Sequence, residues 1–196
     1  MSGKTMTALL LAAGLSVAGC QTGSGVSGGL TPDKKTQART EVNTMASDTL
    51  ARLYALIPST RKTVETSAGY AVFSNYGMQI LVVGGGAGKG VAVNNRTKDQ
   101  TFMRMVEGQA GLGVSVRKLQ LVWVFDTEAR FNDFVNNGLT GAAEGSASVA
   151  VKNHGASLEG AVPISPGVWL YQLTETGLAF ELAVKGSKYY KDDPLN

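Results

Sequence analysis

Hydrophobic residues after the first thirty positions recur at helical spacing. Between Asp33 and Ile57 they fall close to the 3.6-residue period of an α-helix. These apolar positions are Val42, Met45, Ala46, Leu50, Leu53, Leu56 and Ile57. Thr31-Pro32-Asp33 is typical of a helix start, because it offers a capping hydroxyl, an early proline and an acid. Pro58 ends this helix, and Ser59-Thr60 predicts the cap of a second, short helix through Glu65.

From Gly69 onward the pattern changes to short apolar runs separated by small and polar residues. A helix over 127–135 interrupts these runs, with Asp126 as its cap and Gly138 as its stop. Residues 174–177 predict a hairpin turn. Separate strands are predicted at 70–73, 78–83, 91–93, 101–106, 109–116, 119–125, 145–152, 156–162, 167–173 and 178–184.

Several predicted strands have one face of very small residues. Gly84, Gly86, Gly88 and Gly90 form such a face, and 109–115 repeats it. Glycine weakens a strand unless the space is needed, either for sharp curvature or for close helix packing. We therefore predict an α+β fold: a strongly curved, Gly-rich antiparallel sheet, partly closed and barrel-like. An N-terminal amphipathic helix and one or two short helices are expected to pack against it.

The first 19 residues are typical of a secretion signal. Lys4 precedes an apolar run, 6–18, that is too short to cross a bilayer. The segment ends in Leu15-Ser16-Val17-Ala18-Gly19-Cys20, which resembles the lipobox of bacterial lipoproteins. We predict that Cys20 carries the lipid, that 20–30 form a Gly/Ser-rich tether, and that 31–196 form a single domain. The alternative is a plain secreted protein in which Cys20 is incidental.

The composition limits the remaining classes of function. The formal net charge is only +3 at pH 7 and aromatic residues are few, so nucleic acid is not expected as a partner. Cys20 is the only cysteine, so the fold has no disulfide. Gln21 follows it, whereas Asp at that place resembles an inner-membrane retention signal. We expect a lipid-anchored protein on the periplasmic face of the outer membrane.

Motifs for catalysis and cofactors fail on spacing. A P-loop would need glycine where Val83 stands, and the dinucleotide fingerprint places its last glycine on Lys89. One histidine, His154, is too little for a metal site or a nucleophilic triad. Asp126 and Glu128 could form a carboxylate pair, but a helix cap explains Asp126 better. We predict no enzyme activity, no cofactor and no metal.

Basic residues are the remaining candidates for binding. They lie on the first helix, just after it, and beside the glycine run: Lys34, Lys35, Arg39, Arg61, Lys62 and Lys89, with Arg96 and Lys98 in the following turn. Each basic residue near an anionic bilayer contributes about 1 kcal/mol. A solvated helix face explains them equally well, so both interpretations stay open.

The ordered set of motifs over about residues 45–196 resembles the SYLF domain. The segments that carry the resemblance are 69–73, 82–91, 109–113, 121–128, 141–150, 177–182 and 185–190. Eukaryotic members of that family bind phosphoinositides, and some bind actin; bacterial members are lipid-anchored envelope proteins. The resemblance implies lipid contact through the helix 33–57 with Lys34, Lys35 and Arg39, and less directly through Arg61, Lys62 and Lys89. This chain departs from the family in being only mildly basic.

Two functions follow as hypotheses. The first is a non-catalytic module that binds phospholipids, with basic residues on phosphates and an apolar helix face or sheet cavity on acyl chains. The second is a structural envelope component that binds another protein through a sheet edge or an exposed apolar patch. An enzyme is a third possibility for which the sequence offers no catalytic residues.

Overall fold

The computed structural model describes residues 30–138, 158–178 and 186–196, with side chains throughout except at 77–84, 109–117 and 186. The predicted strand 145–152, Cys20 and His154 lie outside these ranges. The helices are α1 (Pro32–Leu56), α2 (Ser59–Thr66) and α3 (Glu128–Asn137), and a 3₁₀ turn covers Asp193–Leu195. The strands are β1 (Gly69–Asn94), β2 (Gln100–Phe125), β3 (Val162–Ser165), β4 (Val168–Thr174), β5 (Gly177–Leu178) and β6 (Gly186–Lys191).

The six strands predicted between residues 70 and 125 are in fact two long ones. β1 and β2 each run for 26 residues and pair antiparallel from Gly69 opposite Phe125 to Val93 opposite Gln100. The prediction of separate strands was wrong because the glycine run 84–90 breaks the apolar alternation without breaking the backbone ladder. Its peptide groups stay extended and continue the pairing with β2.

Later strands agree better with the sequence. β4 confirms the strand predicted at 167–173, and the pairing of Leu173 with Leu178 confirms the hairpin turn. The strand predicted at 156–162 is wrong where it is described, because Glu159-Gly160 form a turn and β3 begins at Val162. The last predicted strand begins as β5 and then leaves the described residues.

The long hairpin is folded back on itself. Gly90 packs directly against Phe73, which lies on the same strand: an added Cβ would be 2.3 Å from the ring. In a straight strand these two residues would be about 55 Å apart. A β-bulge between Leu81 and Val83 shifts the register near the middle of the hairpin, and bulges bend a strand and increase its twist. The strongly curled antiparallel sheet and the α+β class are therefore as predicted.

The described strands form one sheet. Its main order is β1-β2-β4-β3, while β5 pairs with β4 and β6 pairs with β2. β2 reaches both groups because of its length: residues 120–125 pair with β4, and residues 103–108 pair with β6. The two ends of β2 thus carry different neighbours on the side away from β1.

Side-chain alternation along the strands gives a core on each face of the sheet. On one face, α1 and α2 contribute Val42, Ala46, Leu53 and Val64 to a cluster with Val122 and Val124. On the other face, α3 buries Phe131, Phe134 and Val135 as predicted, beside Trp123 and Tyr189. The Phe134 ring lies 5.6 Å from that of Trp123 and 5.3 Å from that of Tyr189. Leu56 is the exception among the predicted apolar positions of α1, since it is 48% exposed.

The helix ends differ from the predicted caps. Thr31 before α1 accepts no capping hydrogen bond with its side chain. α2 begins at Ser59 with Pro58 at the N-cap position, so Ser59 and Thr60 lie inside the helix and do not cap it. Asp126 does not cap α3: Thr127 does, and its hydroxyl accepts from the Arg130 N–H at 3.4 Å. Asp126 lies one residue too early and its own N–H donates to the Gly167 carbonyl. Gly138 ends α3 as predicted, with a φ of +69° that favours glycine.

Candidate functional site

The predicted basic residues of α1 are mostly engaged within the chain. Lys35 donates through Nζ to the Asn196 carbonyl, and Arg39 donates through Nε to the Leu195 carbonyl at 2.6 Å. The Arg39 guanidinium also lies 5.3 Å from the centre of the Phe102 ring. Lys34 is exposed. Two of the three residues thus fasten the C-terminal turn to α1.

Arg61 and Lys62 belong to another part of the surface. Arg61 pairs with Glu65 at 3.6 Å and lies 4.5 Å from the centre of the Tyr54 ring, while Lys62 is exposed. Burial raises the pKa of Tyr54 to about 12. Tyr54 is 19 positions after Lys35 on the same helix, a separation of about 28 Å. The predicted basic residues therefore do not form a single patch.

The apolar face of α1 is not free to meet a lipid. Val42, Ala46 and Leu53 are buried against the sheet, and the exposed side of the helix is largely polar. The lipid-contacting helix that the family resemblance implies is thus packed into the core in this structure. The sheet, by contrast, exposes apolar side chains at Tyr76, Val106 and Tyr190.

Lys89, the remaining predicted basic residue, lines an open groove between α1 and the sheet. The groove encloses about 400 Å³, which is within the range of small-molecule sites. Its lining is mainly apolar, with three charged side chains. It comprises Glu41, Val42, Met45, Ser74, Tyr76, Ala87, Gly88, Lys89, Arg104, Met105, Val106 and Tyr190.

Strand register explains why these residues meet. Lys89 on β1 lies opposite Arg104 on β2, and Arg104 lies opposite Tyr190 on β6. Directly opposed residues of antiparallel strands point to the same face, so the three side chains form a row across the sheet. The next row on that face contains Ala87, Val106 and the exposed Lys188.

The groove concentrates exposed apolar side chains. Among the described residues, five large hydrophobic side chains are exposed, and three of them line this groove. Tyr76 is 59% exposed, Val106 41% and Tyr190 38%. Lys118 lies over the Tyr76 ring, with Nζ 5.5 Å from its centre. These side chains give the groove an exposed apolar lining with Lys89 and Lys118 beside it, which makes the groove the candidate binding surface of the described residues.

Arg104 and Lys89, the two cations that line the groove on the sheet side, differ in their charge partners. Arg104 donates through Nε to Oδ2 of the buried Asp192 at 2.8 Å, and this bond raises the pKa of the guanidinium. Like charges directly opposite each other on neighbouring strands are destabilising, and Asp192 offsets the repulsion between Arg104 and Lys89. Lys89 is exposed and has no carboxylate within salt-bridge distance in the described part of the chain.

Sequence reasoning missed Tyr76, Arg104, Val106 and Tyr190. The alternation around Met103 and Met105 places Arg104 and Val106 on the opposite face, and this signal could have been used. Tyr190 joins them only through the pairing of β6 with β2, which no local pattern reveals.

The carboxylates suggested as a pair are not brought together for catalysis. Glu128 binds Arg96, with Oε2 at 3.1 Å from Nη2, while Asp126 lies at the start of the α3 turn. Over the described ranges no group of three His, Cys, Asp or Glu residues could hold a metal ion. The helices of those ranges include none with the length and hydropathy needed to cross a membrane.

Comparison with known proteins gives a similarity that extends over most of the chain. No family model matches the chain. The chain is 34% identical over 166 residues to Beta cell expansion factor A of Aeromonas veronii. The match covers 85% of this chain but only 62% of the relative, so the chain spans less than two thirds of that protein's length.

Proposed function

We propose that this chain is a non-catalytic phospholipid-binding module of the SYLF type, anchored to the outer membrane through Cys20. The observation that carries the proposal is the groove, in which Tyr76, Val106 and Tyr190 expose apolar surface beside Lys89. Acyl chains would lie on the apolar lining, and the phosphate of a head group would meet Lys89.

The energetics of this arrangement are favourable for an amphiphile. Burial of apolar surface stabilises by about 25 cal/mol per Å², and a basic residue near an anionic surface adds about 1 kcal/mol. Tyrosine suits a boundary of this kind, because its ring is apolar and its hydroxyl remains hydrated. Lys118 and Lys188 add positive charge at neighbouring positions of the sheet.

The proposed assignment to the SYLF family rests on the order of the motifs along the chain. The SYLF-like segments fall largely within β1, β2 and the strands that follow, where they supply the glycines of the curled hairpin. Similarity to the Aeromonas protein over most of the chain supports a shared domain, and this chain's activity and partners remain our proposal.

Vesicle flotation tests the groove. The protein is the full chain with Cys20→Ser, and the vesicles mix phosphatidylethanolamine and phosphatidylglycerol at low salt. The variant Tyr76→Ser/Tyr190→Ser should reduce the floating fraction several-fold, because it removes the two exposed rings. Leu56→Ser, at an exposed apolar position outside the groove, is the matched control.

All these proteins are identical in residues 1–29, so any difference in flotation reports on the substituted positions. Equal flotation of the parent and the double variant would contradict the groove as the lipid site. If, instead, none of them floated while the parent retained another envelope protein in a pull-down, the protein-binding hypothesis would replace ours.

The anchor is tested separately in cells. Cys20→Ser should move the protein from the outer-membrane fraction to the soluble periplasmic fraction, because the thiol that receives the acyl chains is lost. Mass spectrometry of the mature N-terminus of the parent should show a lipidated cysteine. An unmodified N-terminus, or a Cys20→Ser protein that stayed with the membrane, would contradict the proposed anchor.

A further inference from the structure

The groove presents charges of both signs. Lys89 lies on the sheet floor, whereas Glu41 lies on the α1 wall, and both side chains are exposed. Glu41 accepts a hydrogen bond from Gln37 at 3.0 Å, and in the described ranges no cation lies within 4.0 Å of its carboxylate. The groove thus holds a carboxylate and an ammonium that do not neutralise each other.

From this pair we propose that the groove selects zwitterionic amphiphiles whose head group carries both a phosphate and an ammonium. The inference rests on the proposed function and narrows its ligand class. The phosphate meets Lys89, the ammonium meets Glu41, and the acyl chain follows Tyr76 and Val106. A purely anionic head group would satisfy Lys89 but would be repelled by Glu41.

The aromatic ring of Tyr190 supports the same ligand. It lines the same groove as Glu41, the carboxylate that would meet the ammonium. An ammonium group is attracted to the face of a tyrosine ring, and aromatic side chains are a common means of recognising choline-like groups. Tyr76 is less available for this contact, because Lys118 already lies over its ring.

Asp192 neutralises one of the three charged side chains that line the groove. Its carboxylate is buried and holds Arg104 at 2.8 Å, so that guanidinium is compensated within the protein. Lys89 and Glu41 are then the uncompensated charges lining the groove among the described residues. These two lining side chains together carry no net charge, which matches a zwitterion, while Lys118 and Lys188 lie next to the groove and not in its lining.

Two soluble probes with the same tail separate the possibilities: dodecylphosphocholine and dodecyl phosphate, both titrated below their micelle concentrations. Calorimetry with the full chain carrying Cys20→Ser should give tighter binding of dodecylphosphocholine. Glu41→Gln should weaken that ligand by about three- to tenfold and strengthen dodecyl phosphate, because it removes one attraction and one repulsion. Lys89→Gln should weaken both ligands.

Asp48→Asn is the matched control, since it removes an exposed carboxylate from the same helix at a position that does not line the groove. If neither probe bound the parent protein, the proposed lipid-binding function itself would fail. If both bound, and Glu41→Gln changed their ratio no more than Asp48→Asn did, lipid binding would stand and the preference for a zwitterion would be overturned.

Discussion

At the scale of single residues, Gly90 decides whether the hairpin can close on itself. A Cβ at this position would lie 2.3 Å from both the Val72 carbonyl oxygen and the Phe73 ring. The carbonyl belongs to the backbone, so the added atom forces the two halves of β1 apart. Close approach, rather than an unusual φ, is the reason for glycine here.

We therefore expect Gly90→Ala to lower the free energy of unfolding by about 1–3 kcal/mol. Urea titration followed by the fluorescence of the buried Trp123 and Trp169 measures this change. Gly85→Ala is the control, because its nearest obstacle is the Glu107 carbonyl at 3.2 Å and a small shift accommodates it. Equal losses for both variants would show that the doubled hairpin does not limit the space at Gly90.

Features that depend on residues close together in the sequence could be predicted. Features that depend on which residues of distant strands lie opposite each other could not. The small-residue face at Gly86, Gly88 and Gly90 is visible in the sequence, and sharp curvature is one of the two needs that it indicates. The groove could not be predicted in the same way. Lys89, Arg104 and Tyr190 meet only because β1, β2 and β6 pair in a particular register, and pairing between distant segments leaves no local signal.

At the scale of elements, α1 shows the difference between a periodic position and a buried one. Leu53 and Leu56 both fit the helical pattern, yet Leu53 is fully buried and Leu56 is 48% exposed. Three residues along a helix correspond to a rotation of about 300°, so Leu56 lies at the edge of the apolar stripe. The sequence predicted the bounds of α1 within a residue, but burial at its end depends on what the sheet presents.

Leu53→Ala should destabilise the protein by about 2–5 kcal/mol, because it leaves a cavity between α1 and the sheet. Leu56→Ala should change stability by no more than about 0.5 kcal/mol. Thermal unfolding monitored by circular dichroism distinguishes the two variants under one set of conditions. A similar shift for both would mean that the C-terminal end of α1 packs more closely than the structure indicates.

The helix and strand boundaries differ in how far the sequence determines them. Helices end at local signals, such as Pro58 and Gly138, and both were predicted. The ends of β1 and β2 are set by each other instead, since each strand continues as long as its partner offers hydrogen bonds. A glycine run that looks like a loop in one strand is therefore part of a 26-residue ladder.

At the scale of the whole molecule, the protein has a core on each face of one sheet, and tyrosines lie in or near both. Burial raises the pKa of Tyr54 and of Tyr171 to about 12, from the usual 10.0. Both hydroxyls lie on the side covered by α1, where Tyr171 belongs to the core and Tyr54 packs against it. Ionisation of either group puts a charge where it is partly removed from water.

A raised folded-state pKa fixes the direction of the pH dependence. In the unfolded chain these tyrosines ionise near pH 10, whereas in the folded protein they stay neutral until about pH 12. Their contribution to stability is therefore complete below about pH 10 and is lost as the pH rises toward 12. Tyr54→Phe cannot ionise at this position, so the urea midpoint of that variant should fall less steeply over this range than that of the parent. Parallel slopes, together with a parent-minus-variant difference in tyrosinate absorbance that already rises near pH 10, would mean that water reaches Tyr54 and that its hydroxyl is not shielded.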